Sequence, residues 1–299
     1  MASAAAQKLD AELRAWSSTM GEQSPSLEEL RAGGETMATF GTERDDVKVD
    51  QADMGGRRAL VHTPDPARSG AIVHLHGGGL TLGSPESHSR LAAHLAARSG
   101  LPVYNLDYRL APENPFPAAI DDSAAAIRWL MKQGVPAERI ILSGDSGGAA
   151  LALTTLMDLR RDGVGLGGGI VMSPWVDFRL TAGSFDTNAE TDVMCSKPMM
   201  VPLRQNYCPD GDFENPRVSP AAAGDFTGLP PLMIQVSTAE VLLDDARLID
   251  TRAREAGVDV TLQEYDVVPH VFQLFAGNLP EADDALQSIA DWTVRVLTD

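Results

Sequence analysis

The sequence predicts an α/β fold in which a mostly parallel sheet carries helices on both faces. Short apolar runs alternate with helical stretches through the centre of the chain, and this alternation is typical of strand-helix-strand units. A glycine also lies just beyond each of the three central helical stretches, where a left-handed helix cap would need it. These glycines are Gly100, Gly134 and Gly163.

The N-terminal segment predicts two helices. Apolar residues of the first recur three or four positions apart, so they fall on one face of a helix. A second helix is expected to begin near Ser26, because its hydroxyl can cap the helix while Glu29, three residues on, completes a capping box. Gly33-Gly34 would end this helix. The apolar face of the first helix comprises Leu9, Leu13, Trp16 and Met20.

From residue 47 onward the pattern predicts a sheet of eight strands. The first two, at 47–49 and 59–61, show the alternation that suggests antiparallel strands. The remaining apolar runs alternate with helices, which favours parallel pairing. These six strands are predicted at 71–75, 103–106, 139–142, 169–172, 232–236 and 260–265, and the helices at 89–98, 118–132, 149–160, 245–256 and 281–297.

Charge and composition exclude several classes of partner. Lysine and arginine number 24 against 42 aspartates and glutamates, and the net charge of −18 would repel nucleic acid and anionic membranes. The two cysteines, Cys195 and Cys208, do not make a disulfide framework in a chain of 299 residues. We find neither the apolar region of a signal peptide nor a membrane span. The sequence therefore predicts a cytoplasmic protein.

The segment 144–148, Gly-Asp-Ser-Gly-Gly, predicts a nucleophile. It follows an apolar strand and precedes a helical pattern, which is the setting of the Gly-x-Ser-x-Gly nucleophile turn. So sharp a turn needs neighbours without a Cβ atom, and Gly144 and Gly148 meet that need. The helix N-terminus behind Ser146 adds partial positive charge where an oxyanion would form. The structural alternative is a glycine-rich turn with a capping serine.

A second glycine-rich segment, His76-Gly77-Gly78-Gly79, follows the strand at 71–75. Consecutive glycines expose backbone N–H groups that a carbonyl oxygen can approach, so the loop can supply an oxyanion hole. A phosphate-binding loop or a flexible turn is the alternative. However, no Lys-Ser or Lys-Thr pair follows, and the Gly-x-Gly-x-x-Gly spacing does not fit.

A serine nucleophile in this fold needs an acid and then a histidine later in the chain. His270 is the only histidine after Ser146, and we expect it to act as the general base. The residues leave the acid open. Glu240 is nearest to the end of the strand at 232–236, whereas Asp244 and Asp245 could instead stabilise the first turn of a helix. Asp177, after the preceding strand, is a further possibility.

The segments 76–79, 107–113, 144–148 and 240–245, together with His270, resemble the bacterial hormone-sensitive-lipase-like esterases of the α/β-hydrolase superfamily. The likeness spans most of the chain. It implies that Glu240 is the acid, in place of the usual Asp, with Asp244 as second choice. It also implies that the oxyanion donors are the N–H groups of Gly78, Gly79 and Gly147. Gly147 stands where Ala is commoner, and Asn114 stands where His is common, at a position that we interpret as structural.

The resemblance further implies a helical cap over the acyl pocket. We predict that residues 1–45 and 186–216 form this cap and that residues 46–185 and 217–299 form the catalytic domain. A cap rich in Met and Leu, with Leu80 and Leu82 beside the glycine loop, suits a short or medium apolar acyl group. Family members often dimerise through the edge of the last strand, so a homodimer is a fair expectation.

These inferences together predict a serine carboxylesterase that acts on small esters without a metal or cofactor. A lactone hydrolase with the same catalytic residues is one alternative, because ring opening needs no new catalytic group. A catalytically inactive binding protein on the same scaffold is another. Gly-Asp-Ser-Gly-Gly also resembles the signature of chymotrypsin-like proteases, but that fold is nearly all β and residues 149–160 are strongly helical.

Overall fold

The computed structural model describes residues 2–20 and 25–297, without the side chains of residues 16–20. Both predicted N-terminal helices are present, and the capping box between Ser26 and Glu29 is formed. Gly33 and Gly34 end the second helix, which continues as a 3₁₀ helix over Glu35–Thr39. The predicted positions of the Trp16 and Met20 side chains lie outside the described residues. The two helices are α1, Ala4–Met20, and α2, Leu27–Gly34.

The sheet contains eight strands in the order β1-β2-β4-β3-β5-β6-β7-β8, which confirms the predicted number. Strand β2 runs antiparallel to both of its neighbours, and all other neighbouring pairs are parallel. The mostly parallel α/β fold is therefore confirmed. The strands are β1 Val47–Asp53, β2 Arg58–Pro64, β3 Ala71–Leu75, β4 Val103–Leu106, β5 Ile140–Asp145, β6 Gly168–Met172, β7 Leu232–Ser237 and β8 Val260–Tyr265.

Helices cover both faces of the sheet, as predicted. Successive residues of a strand point to opposite faces. Ile141 accordingly packs with residues of α3 and α10, whereas its neighbour Leu142 packs with residues of α4, α5 and α9. None of the helices in the described part of the chain is long and apolar enough for a transmembrane span. The remaining helices are α3 Ser89–Ser99, α4 Ala118–Lys132, α5 Gly147–Arg161, α6 Ser184–Thr187, α7 Lys197–Tyr207, α8 Pro220–Ala223, α9 Leu243–Glu255 and α10 Pro280–Val296.

The three glycines predicted to close the central helices do so with a left-handed backbone. The φ angles are +70° at Gly100, +94° at Gly134 and +80° at Gly163. Positive φ is costly for residues that carry a Cβ atom, so glycine is favoured there. These caps allow each helix to stop where the chain must turn back toward the sheet.

The sheet places the ends of several strands at one edge. Strands β3, β5, β6, β7 and β8 are parallel, so their carboxyl ends meet on the same side of the molecule. The segments that follow these ends carry the glycine loop, Ser146, Glu240 and His270. The fold thus brings together residues that are up to 194 positions apart, from His76 to His270.

Two segments predicted to form the cap contact each other. Arg14 of α1 donates hydrogen bonds to the carbonyl oxygens of Glu190, at 2.9 Å, and Thr191, at 3.1 Å. The guanidinium of Arg14 is also paired with Asp10, one helical turn earlier. The division of the chain into cap and catalytic domain stays a prediction.

Candidate active site

Ser146 lies on the sharp turn between β5 and α5, with φ of +51° and ψ of −125°. Its side chain does not cap α5, contrary to the structural alternative of a capping serine. The turn needs glycine on both sides. A Cβ atom on Gly144 would lie 2.2 Å from the carbonyl oxygen of Gly148, and one on Gly148 would lie 2.0 Å from that of Leu75. The local sequence therefore fixes the strained backbone that holds this hydroxyl at the turn.

Ser146, His270 and Glu240 form one chain of hydrogen bonds. His270 Nδ1 lies 2.6 Å from Glu240 Oε2, and because an ionised carboxylate can only accept, Nδ1 donates. The other ring nitrogen, Nε2, is then free to accept from Ser146 Oγ at 2.9 Å. All three side chains are buried. The geometry thus offers a hydroxyl, a base that can take its proton, and an acid that orients the base.

The surroundings of His270 favour its protonated form. Burial by itself lowers the pKa of the imidazole, but the contacts with Cys195 and Glu240 raise it, and the pKa ends above its ordinary value. The carboxylate is the physical basis for this direction, because an opposite charge at hydrogen-bond distance stabilises the imidazolium. His270 is therefore suited to hold a proton taken from the hydroxyl.

Glu240 is held on its other oxygen as well. Oε1 accepts hydrogen bonds from Ser173 Oγ and from the backbone N–H of Ser237, both at 2.8 Å. Ser173 Oγ in turn accepts from the N–H of Val271, directly after His270, at 2.9 Å. The longer side chain of Glu, compared with Asp, is therefore fixed at both carboxylate oxygens, which leaves Oε2 aimed at the imidazole.

The other candidate acids lie elsewhere. Asp244 accepts a hydrogen bond from the N–H of Ser184 at 2.9 Å. In the described part of the chain, the carboxylate hydrogen-bonded to His270 is that of Glu240 and not that of Asp244. Asp177 is paired with Arg179. Asp245 accepts from the N–H groups of Val176 and Asp177, so it braces the segment after β6. Burial raises the pKa of Asp245 to about 7, and within the described part of the chain no cationic side chain is paired with this carboxyl to oppose the rise.

Each of the three candidate oxyanion donors belongs to a peptide whose carbonyl is held in place. In a trans peptide the C=O and the following N–H point in opposite directions. The Gly77 carbonyl accepts from His76 Nδ1 at 2.8 Å, which orients the N–H of Gly78. Similarly, the Gly78 carbonyl accepts from Leu82 at 2.8 Å, which orients the N–H of Gly79.

The third donor, the N–H of Gly147, is oriented in the same manner. The Ser146 carbonyl accepts from the N–H of Trp175 at 3.0 Å, so the N–H of Gly147 points away from that bond. Gly147 also lies against the glycine loop, because a Cβ atom on it would be 2.9 Å from the Cα of Gly79. Together with the N-terminus of α5, these groups place several N–H dipoles beside the Ser146 hydroxyl.

Comparison with known proteins identifies the family. Residues 72–274 match the model of a family described by its α/β-hydrolase fold. An acetyl-hydrolase of Streptomyces hygroscopicus is 40% identical over 225 residues, which cover 74% of this chain and 75% of the relative. An esterase of Acinetobacter venetianus is 35% identical over 256 residues, which cover 85% of this chain and 84% of the relative.

The solved structures agree. A crystal structure of an esterase from the bacterial hormone-sensitive lipase family superposes with a TM-score of 0.94 at 36% identity, with 100% of each chain covered. The chain belongs to this family of esterases. It is therefore a hydrolase that acts on ester bonds, which confirms the predicted fold family and enzyme class and disfavours the inactive binding protein.

Asp145 links the turn that carries Ser146 in this esterase to the glycine loop. Its Oδ1 accepts from the N–H of Gly77 at 3.0 Å, and the Nε2 atoms of His74 and His88 lie 3.2 and 3.3 Å from the carboxylate. Burial alone would raise the pKa of Asp145, but these histidines outweigh it and hold that pKa below its ordinary value. The buried carboxylate thus fixes the loop directly beneath Ser146.

The predicted cap insertion is hydrogen-bonded to the loop that carries Glu240. Asn188 Nδ2 donates to the carbonyl oxygens of Thr238, at 3.0 Å, and Glu240, at 2.7 Å. The Asp192 carboxylate accepts from the N–H of Val241 at 2.9 Å. These bonds hold the backbone on both sides of the Glu240 side chain, so the insertion helps to fix the position of the acid.

Apolar side chains lie against the glycine loop on the cap side. A Cβ atom on Gly79 would be 2.9 Å from Leu203 Cδ1 and 3.1 Å from Trp175 Cζ3. Leu203 belongs to α7, and Trp175 stacks on Phe178 with ring centroids 4.4 Å apart. Of the two leucines predicted beside the loop, Leu80 is fully buried. The space beside the candidate donors is therefore narrow and apolar.

Sequence reasoning did not single out Ser173 or the histidines His74 and His88. One signal for Ser173 was available, because it directly follows β6 at the edge where the other site residues lie. His74 lies within β3, where the alternation of the strand does not distinguish a polar partner of Asp145 from a satisfied core residue. No cluster of three or more His, Cys, Asp or Glu side chains in the described residues is arranged to hold a metal ion.

Proposed function

We propose that this esterase is a serine carboxylesterase that hydrolyses short- and medium-chain esters through an acyl-enzyme. The observation that carries the proposal is the hydrogen-bonded chain from Ser146 through His270 to Glu240, at 2.9 and 2.6 Å, beside the oriented N–H groups of the glycine loop. The residues take the roles of nucleophile, general base and orienting acid.

In the first half-reaction, Ser146 Oγ forms a bond to the ester carbonyl carbon while its proton passes to His270 Nε2. The former carbonyl oxygen becomes an oxyanion that accepts hydrogen bonds from Gly78, Gly79 and Gly147. Collapse of this intermediate breaks the bond to the alkoxy group, and the imidazolium gives its proton to the leaving oxygen. Alcohol departs, and the acyl group remains on Ser146.

In the second half-reaction, water takes the place of the alcohol. His270 removes a proton from the water as its oxygen bonds to the acyl carbon, and a second oxyanion forms in the same site. The bond to Ser146 Oγ then breaks, the proton returns to Oγ, and the carboxylic acid leaves. Glu240 stays ionised throughout and stabilises the imidazolium that forms twice.

The proposal is tested with an active-site-directed fluorophosphonate and mass spectrometry. We expect a single phosphonyl adduct on the peptide that contains Ser146, formed in step with the loss of activity toward p-nitrophenyl acetate. Protein unfolded in urea before labelling is the control, since an isolated serine hydroxyl has no base to activate it. Stoichiometric loss of activity with the adduct on another residue would refute the role of Ser146.

The apolar wall beside Gly79 supports a short acyl group, as does the similarity to an acetyl-hydrolase. We expect kcat/KM to be highest for acetyl to hexanoyl p-nitrophenyl esters and to fall for longer chains. Leu203→Ala enlarges the space beside Gly79 and should move the optimum toward longer chains. Including lactones in the panel tests the alternative substrate class. A cytoplasmic location and a homodimer stay predictions.

The acidic side of the pH profile should report the raised pKa of His270. Only the neutral imidazole can accept the Ser146 proton, so kcat/KM should fall as the pH drops through that pKa, which lies above the ordinary 6.5. The measurement uses p-nitrophenyl acetate at the isosbestic wavelength of p-nitrophenol. A second substrate with a different leaving group should give the same apparent pKa. An acidic limb centred well below 6.5 would contradict this assignment.

A further inference from the structure

Arg31, on α2 in the predicted cap, makes hydrogen bonds to the segments that surround the glycine loop. Its Nε donates to the carbonyl oxygen of Thr81 at 3.0 Å, and one terminal nitrogen donates to that of Ala111 at 3.0 Å. Both terminal nitrogens also bind the Glu113 carboxylate at 2.8 Å. Arg31 therefore touches the turn after Gly79 without approaching Ser146 itself.

The bond from Arg31 to Thr81 is the first step of a continuous relay. The Thr81 carbonyl and the Leu82 N–H belong to one peptide and point in opposite directions. Leu82 donates to the Gly78 carbonyl at 2.8 Å, and that carbonyl shares its peptide with the N–H of Gly79. Two peptides thus connect the guanidinium to a candidate oxyanion donor, with every dipole aligned in the same direction.

A second relay reaches the same carbonyl from the segment 107–113, to which the mechanism assigned no role. The N–H of Asn114 donates to Leu110 O, and the N–H of Ala111 donates to Leu80 O, both at 2.9 Å. The N–H of Thr81, in the peptide that begins with the Leu80 carbonyl, then donates to Gly78 O at 3.2 Å. Arg31 also binds the carbonyl of Ala111, which belongs to the next peptide, Ala111-Pro112, so it braces the segment that supports the second relay while only the first relay begins at the guanidinium.

We propose that Arg31 is a positioning residue for the oxyanion hole, which it orients and polarises through the peptides that end at the N–H of Gly79. The inference rests on the proposed function, because it concerns the oxyanion formed during ester hydrolysis. Aligned hydrogen bonds in a protein interior polarise one another, and a guanidinium stays charged at every pH at which the enzyme is folded. Its charge therefore makes the distal N–H a better donor to a negative oxygen.

The partner of Arg31 weakens this effect without cancelling it. The Glu113 side chain is 56% exposed against 32% for Arg31, so solvent screens the carboxylate more than the guanidinium, and the bond from Arg31 to Thr81 is part-buried. The direction of the relay is fixed as well, because the C=O of Gly78 and the N–H of Gly79 point to opposite sides of the peptide that they share. A cation at the start of the relay stabilises charge at its end.

Arg31→Ala should lower kcat for p-nitrophenyl acetate about tenfold, less than the ~10²-fold or greater loss for removal of a direct oxyanion donor. KM should stay unchanged, since the ground-state ester carries no full charge on oxygen. The inhibition constant of an alkyl trifluoromethyl ketone, which forms an oxyanion when Ser146 adds to it, should rise by the same factor. Arg31→Lys keeps the charge on a single donor nitrogen in place of three and should recover part of kcat.

Arg90→Ala is the matched control. Arg90 likewise joins a backbone carbonyl, that of Gly41, to a surface carboxylate, Glu43, and its side chain is 26% exposed against 32% for Arg31. The peptide that it binds donates its N–H, that of Thr42, to Ala276 and not to the glycine loop. This variant should lose comparable stability and keep kcat and the ketone inhibition constant.

Several outcomes separate the inference from the proposed function. If the fluorophosphonate labels Ser146 and Arg31→Ala keeps the wild-type kcat and ketone inhibition constant, the role of Arg31 is overturned while the esterase mechanism stands. Equal losses in Arg31→Ala and Arg90→Ala would also overturn it, because they would show a general loss of stability. If Arg31→Ala fails to fold, Arg31→Gln decides, since its amide can still donate to the Thr81 carbonyl but carries no charge, and a wild-type ketone inhibition constant in this variant would exclude polarisation by Arg31.

Discussion

Replacing Ser146 by alanine should reduce kcat for p-nitrophenyl acetate by about a millionfold, the loss measured when the nucleophile of a serine hydrolase is removed. The Ser146 hydroxyl is hydrogen-bonded to His270 Nε2, and among the described residues no other hydroxyl is hydrogen-bonded to that ring nitrogen. Burst kinetics at high enzyme concentration should likewise disappear, because no acyl-enzyme can form. Residual catalysis would come only from the oxyanion site acting on water.

The control for this variant is Ser99→Ala. Ser99 is buried at the end of α3, and its hydroxyl donates to the carbonyl oxygen of Leu95 at 2.7 Å. It lies just before the start of β4, whereas the glycine loop follows the end of β3, which runs parallel to β4. Its loss should leave the rate unchanged while removing an equally buried hydroxyl. A folded Ser146→Ala enzyme that still formed a stable acyl adduct would rule out Ser146 as the nucleophile.

Replacing Glu240 by glutamine should lower kcat by about 10⁴, whereas Asp244→Asn should leave it nearly unchanged. Glutamine keeps the shape of the side chain but removes the charge that stabilises the imidazolium at 2.6 Å. It also allows the amide to donate, so the imidazole can adopt the wrong tautomer for accepting from Ser146. Steady-state kinetics of the two variants, in the same buffer and at the same pH, provide the comparison.

Asp244→Asn is a stringent control because the two acids lie only four positions apart, Glu240 in the turn after β7 and Asp244 in the first turn of α9. Asp244 accepts from the N–H of Ser184 and lies 3.7 Å from Arg247, so its loss affects packing of α9 but not the imidazole. Thermal unfolding of both variants reports on any shared loss of stability. Equal reductions in activity, or a larger one for Asp244→Asn, would refute the assignment of Glu240.

The sequence was sufficient to predict the parts of the site that depend on local geometry. Gly144 and Gly148 flank Ser146 because strand and helix approach within contact distance at the turn, and this requirement is visible in five consecutive residues. The glycine loop could be predicted from local sequence for a similar reason, because consecutive residues without side chains leave their backbone N–H groups accessible. Both motifs also come at the ends of apolar strands. The fold class therefore predicted that they lie together at the carboxyl ends of the parallel strands.

The supporting residues could not be predicted in this way. Ser173 binds both Glu240 and the N–H after His270, yet it belongs to a third strand end and to no motif of its own. Arg31 lies in the N-terminal segment, and only the packing of α2 against the segments at 81 and 111 reveals its bonds. Such contacts depend on the relative placement of elements, which periodicity does not specify.

What the sequence by itself determined was the class of fold, the turn that carries Ser146 and which histidine was the candidate base, because backbone propensity and chain order are local or sequential properties. Only the tertiary structure shows that Glu240, and not Asp244, is the carboxylate beside His270. Both follow the same strand, and a difference of four residues at the start of a helix turns one carboxylate toward His270 and the other toward Ser184. The direction of a side chain is set by packing across the loop, and that information lies in contacts between distant segments.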